Sequence, residues 1–366
     1  MIRIGFVGVG NISGIYLKNI TGMFREIEVA GLCDLIPERA EKAAEEYGIK
    51  KIYKDMYELF ADPEVDVVLN ITRPYQHYAV TRAALEAGKH VYSEKPLSPD
   101  LGEAKELVEL AKSKGLYLGG APDTFMGGGI QTCRALIDRG FIGKPLAFEA
   151  HMLSRGPENW HPDPEFFYQY GGGPMFDMGP YYMTALINLL GRVSEVTGFV
   201  GRSFDVRPIL NKTKYGVPME VEVPTHESGA LRFENGVIGT FTASFDVYAD
   251  RSDEIVIYGS EGTLRVPDPN FFGGDVKLMR GRTRVYETIP LIFPYQENSR
   301  ALGLADMAKA IETGRPWRAN FSQQLHVVEI LSSFRRSSAE GRTVRLETPY
   351  ERSEPMVYTD LPGILD

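Results

Sequence analysis

At 366 residues the chain is long enough for two domains rather than one core. Its 43% hydrophobic and 24% charged residues are those of an ordinary globular protein. A net charge of −9, from 40 basic against 49 acidic residues with no basic block, argues against nucleic acid or an anionic membrane as partner. Met1 leads directly into an apolar strand pattern, and no apolar span is long enough to cross a bilayer, which points to a cytoplasmic protein. Cys33 and Cys133 are far apart and read as reduced thiols.

The opening is strand, glycine turn, helix, strand, acid. Ile2, Ile4, Phe6 and Val7 form an apolar run that ends in Gly8-Val9-Gly10-Asn11-Ile12-Ser13-Gly14. A helical pattern follows, and a second apolar run stops at Cys33-Asp34. This is the layout of a dinucleotide-binding unit. Gly8 suits the tight turn, and Gly10 lets a pyrophosphate approach the backbone. Asn11 and Ile12 open a helix whose free amides and dipole attract phosphate. The third small position of the motif is Ser13, with Gly14 one place late. Asp34 is placed to accept bonds from a ribose diol and to repel a 2′-phosphate, which favours NAD over NADP, although Arg39 nearby blunts that repulsion.

Helices are predicted at 37–48, 56–60, 76–87 and 100–114, alternating with strands at 65–71, 90–93 and 116–118. Such alternation implies an N-terminal Rossmann domain, a doubly wound parallel sheet in an α/β fold. From Gly128 the texture changes. A helix at 128–138, a strand at 144–153, an aromatic loop at 154–173 and a helix at 177–190 precede strands at 229–234, 237–246, 254–259, 262–266, 276–280 and 284–289. Helices at 299–314 and 321–341 close the chain. The second domain is therefore expected to be α/β with a large, open, mostly antiparallel sheet. The division expected is 1–124 for cofactor and 125–366 for substrate and assembly.

In open α/β sheets ligands lie at the carboxyl ends of the strands. That rule selects the Gly8–Gly10 turn, Asp34, Thr72 and Pro74 with His77, Glu94 with Lys95, and Asp123. Lys95 directly follows a buried-type strand and is pinned by Pro96, so it can bond a substrate hydroxyl and stabilise developing alkoxide charge. His77 is placed to cap a helix or to contact cofactor; Asp123 can reach nicotinamide or substrate. Trp160 and His161, with Tyr168, form a platform for sugar C–H faces, or a packing or subunit contact. No His, Cys or Asp cluster has metal-ligand spacing, so no metal is expected. A serine hydrolase is also excluded, since no Gly-x-Ser-x-Gly elbow follows a strand.

Across nearly its whole length the chain resembles the Gfo/Idh/MocA family of oxidoreductases. The residues that carry the resemblance are Gly8-Val9-Gly10-Asn11, Asn70-Ile71-Thr72-Arg73-Pro74 with His77, Glu94-Lys95-Pro96-Leu97, Gly140 to Pro145, and Gly171-Gly172-Gly173-Pro174-Met175-Phe176-Asp177-Met178-Gly179. The resemblance implies NAD-dependent oxidation of a sugar or cyclitol by a homodimer or homotetramer joined through the second sheet. It assigns Lys95 to substrate orientation and proton transfer, and Asp177 to the substrate and catalytic network. Where that family usually has histidine, four places after the aspartate, this chain has Tyr181.

On one helix Asp177 and Tyr181 share a face, and Lys95 beside the phenol favours its ionised form. Oxidation is then expected to rise toward alkaline pH. Tyr182 and His161 remain alternative proton-transfer residues. Two other functions remain open: a redox-neutral sugar enzyme with tightly bound NAD, acting by cleavage, epimerisation or sugar–sugar oxidoreduction, and a non-catalytic NAD sensor.

Overall fold

The computed structural model describes residues 1–249, 254–358, 363, 365 and 366. The first unit runs β1 (Ile2–Val7), α1 (Ser13–Gly22), β2 (Ile27–Cys33), α2 (Pro37–Tyr47), α3 (Met56–Ala61), β3 (Val67–Asn70), α4 (His77–Glu86), β4 (His90–Ser93), α5 (Leu101–Ser113) and β5 (Leu118–Gly120). Its sheet has five strands in the order β2-β1-β3-β4-β5, every pair parallel. Strand order reverses between β1 and β3, which opens a crevice at their carboxyl ends. Local chemistry sets the element ends. Asp55 and Asp100 accept amides at the starts of α3 and α5, and Gly48 ends α2 in the left-handed region at φ 69°.

The second unit comprises α6 (Gly128–Asp138), β6 (Pro145–Leu153), α7 (Pro174–Asp177), α8 (Gly179–Leu190), β7 (Val193–Gly201), β8 (Val206–Pro208), β9 (Pro218–Glu220), β10 (His226–Phe233), β11 (Ile238–Ser244), β12 (Ile255–Gly259), β13 (Gly262–Val266), β14 (Val276–Arg280), β15 (Glu287–Ile289), α9 (Leu302–Thr313), α10 (Phe321–Glu340) and β16 (Val344–Arg345). Nine strands form one sheet, ordered β15-β14-β13-β12-β6-β11-β10-β7-β16, with only β6 and β11 parallel. The mostly antiparallel sheet expected from sequence is present. β7, β8, β9 and β16 fall where no strand is expected from the sequence pattern.

One face of this sheet is buried. Phe148, Val196, Leu231, Phe233, Phe241 and Ile257 pack beneath helices that include α8, every residue of which is buried. A helix apolar all round fits only such a place. Paired Gly198 and Gly229 leave a flat spot that the Phe334 ring of α10 fills, and a Cβ on either glycine would lie 2.8 Å from that ring. α10 also packs on α5, and Gln324 Nε2 donates to the Gly120 carbonyl, so the last helix ties the two sheets together. Cys33 and Cys133 are buried and unpaired. Among the described residues no helix is long and apolar enough to cross a membrane.

Because Phe334 is fully buried on two glycines that cannot close the gap, Phe334→Ala should lower the unfolding free energy by about 3–5 kcal/mol. Chemical denaturation measures this, and a loss under about 1 kcal/mol contradicts the packing described.

Candidate active site

The crevice begins at the glycine turn. Gly8 has φ 98°, and a Cβ there would lie 2.8 Å from the Ile71 carbonyl oxygen, so only glycine fits. A Cβ on Gly10 would meet nothing within 4 Å, which leaves open space in front of the turn. No side chain caps α1, whose N-cap is Ile12; the Ser13 amide donates to the Gly10 carbonyl at 3.1 Å, and the amides that follow it meet no side-chain cap that would compete with an anion. Asp34 stands beside them: Oδ2 accepts the Val9 amide at 2.6 Å and Oδ1 the Ile36 amide at 2.8 Å. An open phosphate cradle with a fixed carboxylate at the ribose position fits a dinucleotide.

The turn after β3 is held from below. Asn70 Oδ1 accepts the Thr72 hydroxyl at 2.7 Å, and Asn70 Nδ2 donates to the His77 carbonyl at 3.1 Å. His77 is 1% exposed. Its Nδ1 lies 2.6 Å from the Pro96 carbonyl oxygen and its Nε2 3.1 Å from that of Thr72. Burial pushes its pKa down. The sequence allowed a cofactor contact here; the ring instead braces the turns that carry Thr72 and Lys95. Pro74 packs under Gly171, whose Cβ would lie 3.3 Å from the proline Cβ.

Glu94 and Lys95 follow β4. Glu94 accepts the Tyr16 hydroxyl at 2.8 Å and the Lys95 amide at 3.0 Å. Lys95 Nζ donates to Asp177 Oδ1 at 2.8 Å and to the Asp177 carbonyl at 2.5 Å. Nζ also lies 5.2 Å from the Tyr181 ring centroid. Burial alone would lower the lysine pKa, but the neighbouring Asp177, followed by Tyr181 and Glu94, outweighs it and raises the value. Lys95 is therefore a held cation, not a base.

Asp177 and Tyr181 are not on one unbroken helix. α7 ends at Asp177 and α8 begins at Gly179, because Pro180 has no N–H to continue the ladder. Both residues still converge on Lys95. Tyr182 points elsewhere: its hydroxyl donates to Glu254 Oε2 at 2.9 Å and its ring packs on Phe241. A cation unmarked by sequence is Arg300, whose Nη1 donates to Asn298 Oδ1 at 2.9 Å and Nη2 to Asn270 Oδ1 at 3.1 Å. The sequence pattern placed Arg300 inside the 299–314 helix; the helix starts at Leu302, and Arg300 lies in the turn before it.

Residues 154–173 form a strap across the crevice. Arg73 Nη2 meets Asp163 Oδ2 at 2.6 Å, and its guanidinium lies 4.1 Å from the Phe166 ring centroid. His161 Nε2 lies 3.3 Å from the Asn11 side-chain amide, and His161 Nδ1 accepts the Asp163 amide at 3.0 Å. Burial depresses the His161 pKa. Trp160 is 65% exposed, its ring edge-on to His161 and Phe167. Two expected substrate contacts lie away from the open crevice. Tyr168 is fully buried, donates to Glu158 at 2.9 Å and anchors the base of the strap. Asp123 is 1% exposed and accepts the Gly303 amide at 3.1 Å, while burial lifts its pKa to about 6.

Comparison with known proteins agrees with this geometry. Residues 2–120 match the model of the oxidoreductase family with an NAD-binding Rossmann fold, and residues 130–265 match the GFO/IDH/MocA C-terminal domain. Myo-inositol 2-dehydrogenase of Thermotoga maritima is 25% identical over 350 residues, covering 94% of this chain and 99% of that protein. The 1,5-anhydro-D-fructose reductase of Ensifer adhaerens is 31% identical over 271 residues, 72% of this chain and 75% of that one. A levoglucosan dehydrogenase solved with NADH and levoglucosan superposes with a TM-score of 0.81 at 21% identity, covering 95% of this chain and 100% of its own. A parallel nucleotide-binding sheet, a lysine held at its fourth strand and matches in both units make the chain a member of the Gfo/Idh/MocA family of NAD-binding oxidoreductases.

Proposed function

We propose that the protein oxidises a carbinol carbon of a sugar, cyclitol or sugar derivative with NAD. The observation that carries this reading is Lys95, held by Asp177 at 2.8 Å and facing Tyr181, beside an open dinucleotide cradle. NAD supplies the hydride acceptor when bound. Lys95 and Asp177 orient the reacting hydroxyl, and Tyr181 accepts its proton. His161 is a poor base in this geometry, because Nδ1 accepts from Asp163 and a neutral ring then carries its proton on Nε2. With its pKa depressed by burial, His161 stays neutral through the ordinary histidine range, so no rate break near pH 6.5 is expected from it.

The preference for NAD over NADP rests on Asp34, whose two oxygens are fixed by main-chain amides where a 2′-phosphate would stand. Phe199 and Ile238, 77% and 45% exposed on the uncovered face of the large sheet, support its burial in a homodimer or homotetramer.

A second reading draws on the strap. The Arg73–Asp163 pair and the His161–Asn11 contact hold it on the turns that surround the cofactor cradle. A cofactor enclosed in this way suits turnover with retained NAD, as in cleavage, epimerisation or sugar–sugar oxidoreduction.

Lys95→Ala should reduce turnover by at least about 10²–10⁴-fold while NAD binding, followed by calorimetry, changes only a few-fold. Near-normal turnover in that variant removes the main claim. Arg73→Ala should speed NADH release, read by stopped-flow fluorescence, by up to roughly fivefold, the worth of a half-exposed ion pair. An unchanged release rate eliminates the latch.

A further inference from the structure

The turn that presents Lys95 is gripped from the helix that opens at the glycine turn. Tyr16 and Asn19, three residues apart in α1, lie on one face of that helix. Both are buried, at 0% and 3% exposure, and both side chains bond groups outside α1. The Tyr16 hydroxyl donates to Glu94 Oε1 at 2.8 Å. Asn19 Nδ2 donates to the main-chain carbonyls of Asn298 and Arg300 at 2.9 and 2.8 Å. One helix face therefore reaches both the turn after β4 and the turn before α9. Glu94 passes the first contact on: its other oxygen, Oε2, accepts the Lys95 amide at 3.0 Å, and Lys95 Nζ meets Asp177 Oδ1 at 2.8 Å. A glutamate carboxylate turns easily about its terminal bond, so a partner on one oxygen alone does not fix it. The phenol on the second oxygen does. Packing does not require the tyrosine, because phenylalanine fills the same core position without burying a hydroxyl. Burial, with the Glu94 charge beside it, pushes the Tyr16 pKa up, so the hydroxyl stays a donor.

We infer that Tyr16 is a positioning residue for the reaction: through Glu94 it fixes the backbone at Lys95, and with it the direction of the ammonium toward Asp177 and the reacting hydroxyl. The inference rests on the reading of Lys95 as the group that orients substrate. α1 then serves both halves of the chemistry. Its start borders the open space in front of the glycine turn, and Tyr16, within the same helix, holds the turn that carries the lysine. The hydroxyl touches neither substrate nor Lys95 itself, so its whole effect runs through the two oxygens of one carboxylate.

The test is hydrogen exchange at the Lys95 amide of the purified protein, followed by mass spectrometry at single-residue resolution. Tyr16→Phe, which removes only the hydroxyl, should speed exchange there by about tenfold or more, the order of one hydrogen bond to a charged group, while the amides of β3 keep their native rates. Glu94→Gln, which leaves one acceptor oxygen where the carboxylate has two, should do the same and serves if Tyr16→Phe does not fold. A Lys95 exchange rate unmoved in both variants overturns the inference. Where the native protein oxidises a sugar or cyclitol from a panel, Tyr16→Phe should lose about tenfold in kcat while its KM for NAD changes by less than about twofold. In a Lys95→Ala background the same substitution should cost nothing further, because its effect passes through the lysine. Equal losses in the two backgrounds, or a native kcat in Tyr16→Phe, contradict the role. If the native protein oxidises nothing, the functional reading fails, and the exchange rate still decides whether Tyr16 fixes the lysine turn.

Discussion

The structure depends on one buried ion pair between its two units. Lys95 comes from the end of a parallel strand in the first sheet, and Asp177 from the short helix that leads into the second. Neither charge is well exposed, at 14% and 22% of their side chains, so each needs the other to offset its lost hydration. The lysine is doubly held, because Nζ also donates to the Asp177 main chain. That geometry makes a cation with a fixed direction. It is costly to build and useless to a fold that needs only stability, for which an apolar pair serves as well.

Support for the pair spreads outward in layers. His77 and Asn70 set the turns that present Thr72 and Lys95. Above them the strap is pinned at its base by Arg207, which pairs with Glu158 and with Asp246 while only 4% of its side chain is exposed. Tyr168 and Phe167 join Ile209, Met219, Val221 and Phe245 in a small core of their own under that base. The strap thus has a rigid root and a polar, half-exposed tip, a division suited to a segment that must open for cofactor or substrate.

Much of this was legible in the sequence, and the reasons are local. Gly8 is demanded by a positive φ against the Ile71 carbonyl, Asp100 by the amide it caps, and the Lys95 position by the strand that ends before it. What escaped depends on distant partners. Tyr168 looked like a sugar platform because an aromatic loop reads the same whether its rings face a ligand or Arg207. Asp123 lay at the correct strand end, but its partner, the Gly303 amide, comes from a helix far along the chain. Arg300 had no signal beyond its own charge, since Asn19 and Asn270 come to it from separate parts of the chain. The gap between Asp177 and Tyr181 was written in Gly179-Pro180, a pair that argues against an unbroken helix.

The central claim is that the Lys95–Asp177–Tyr181 group moves a proton while hydride passes to a nicotinamide. It is tested most directly by absorbance at 260 and 340 nm on the purified protein, before and after mixing with NAD and a panel of cyclitols and sugars. The account predicts 340 nm absorbance that rises only when NAD and one member of the panel are both present. Copurified cofactor that cycles without net NADH selects the retained-cofactor reading of the same site. A protein that binds NAD yet converts no member of the panel, with no change in bound cofactor, contradicts the account.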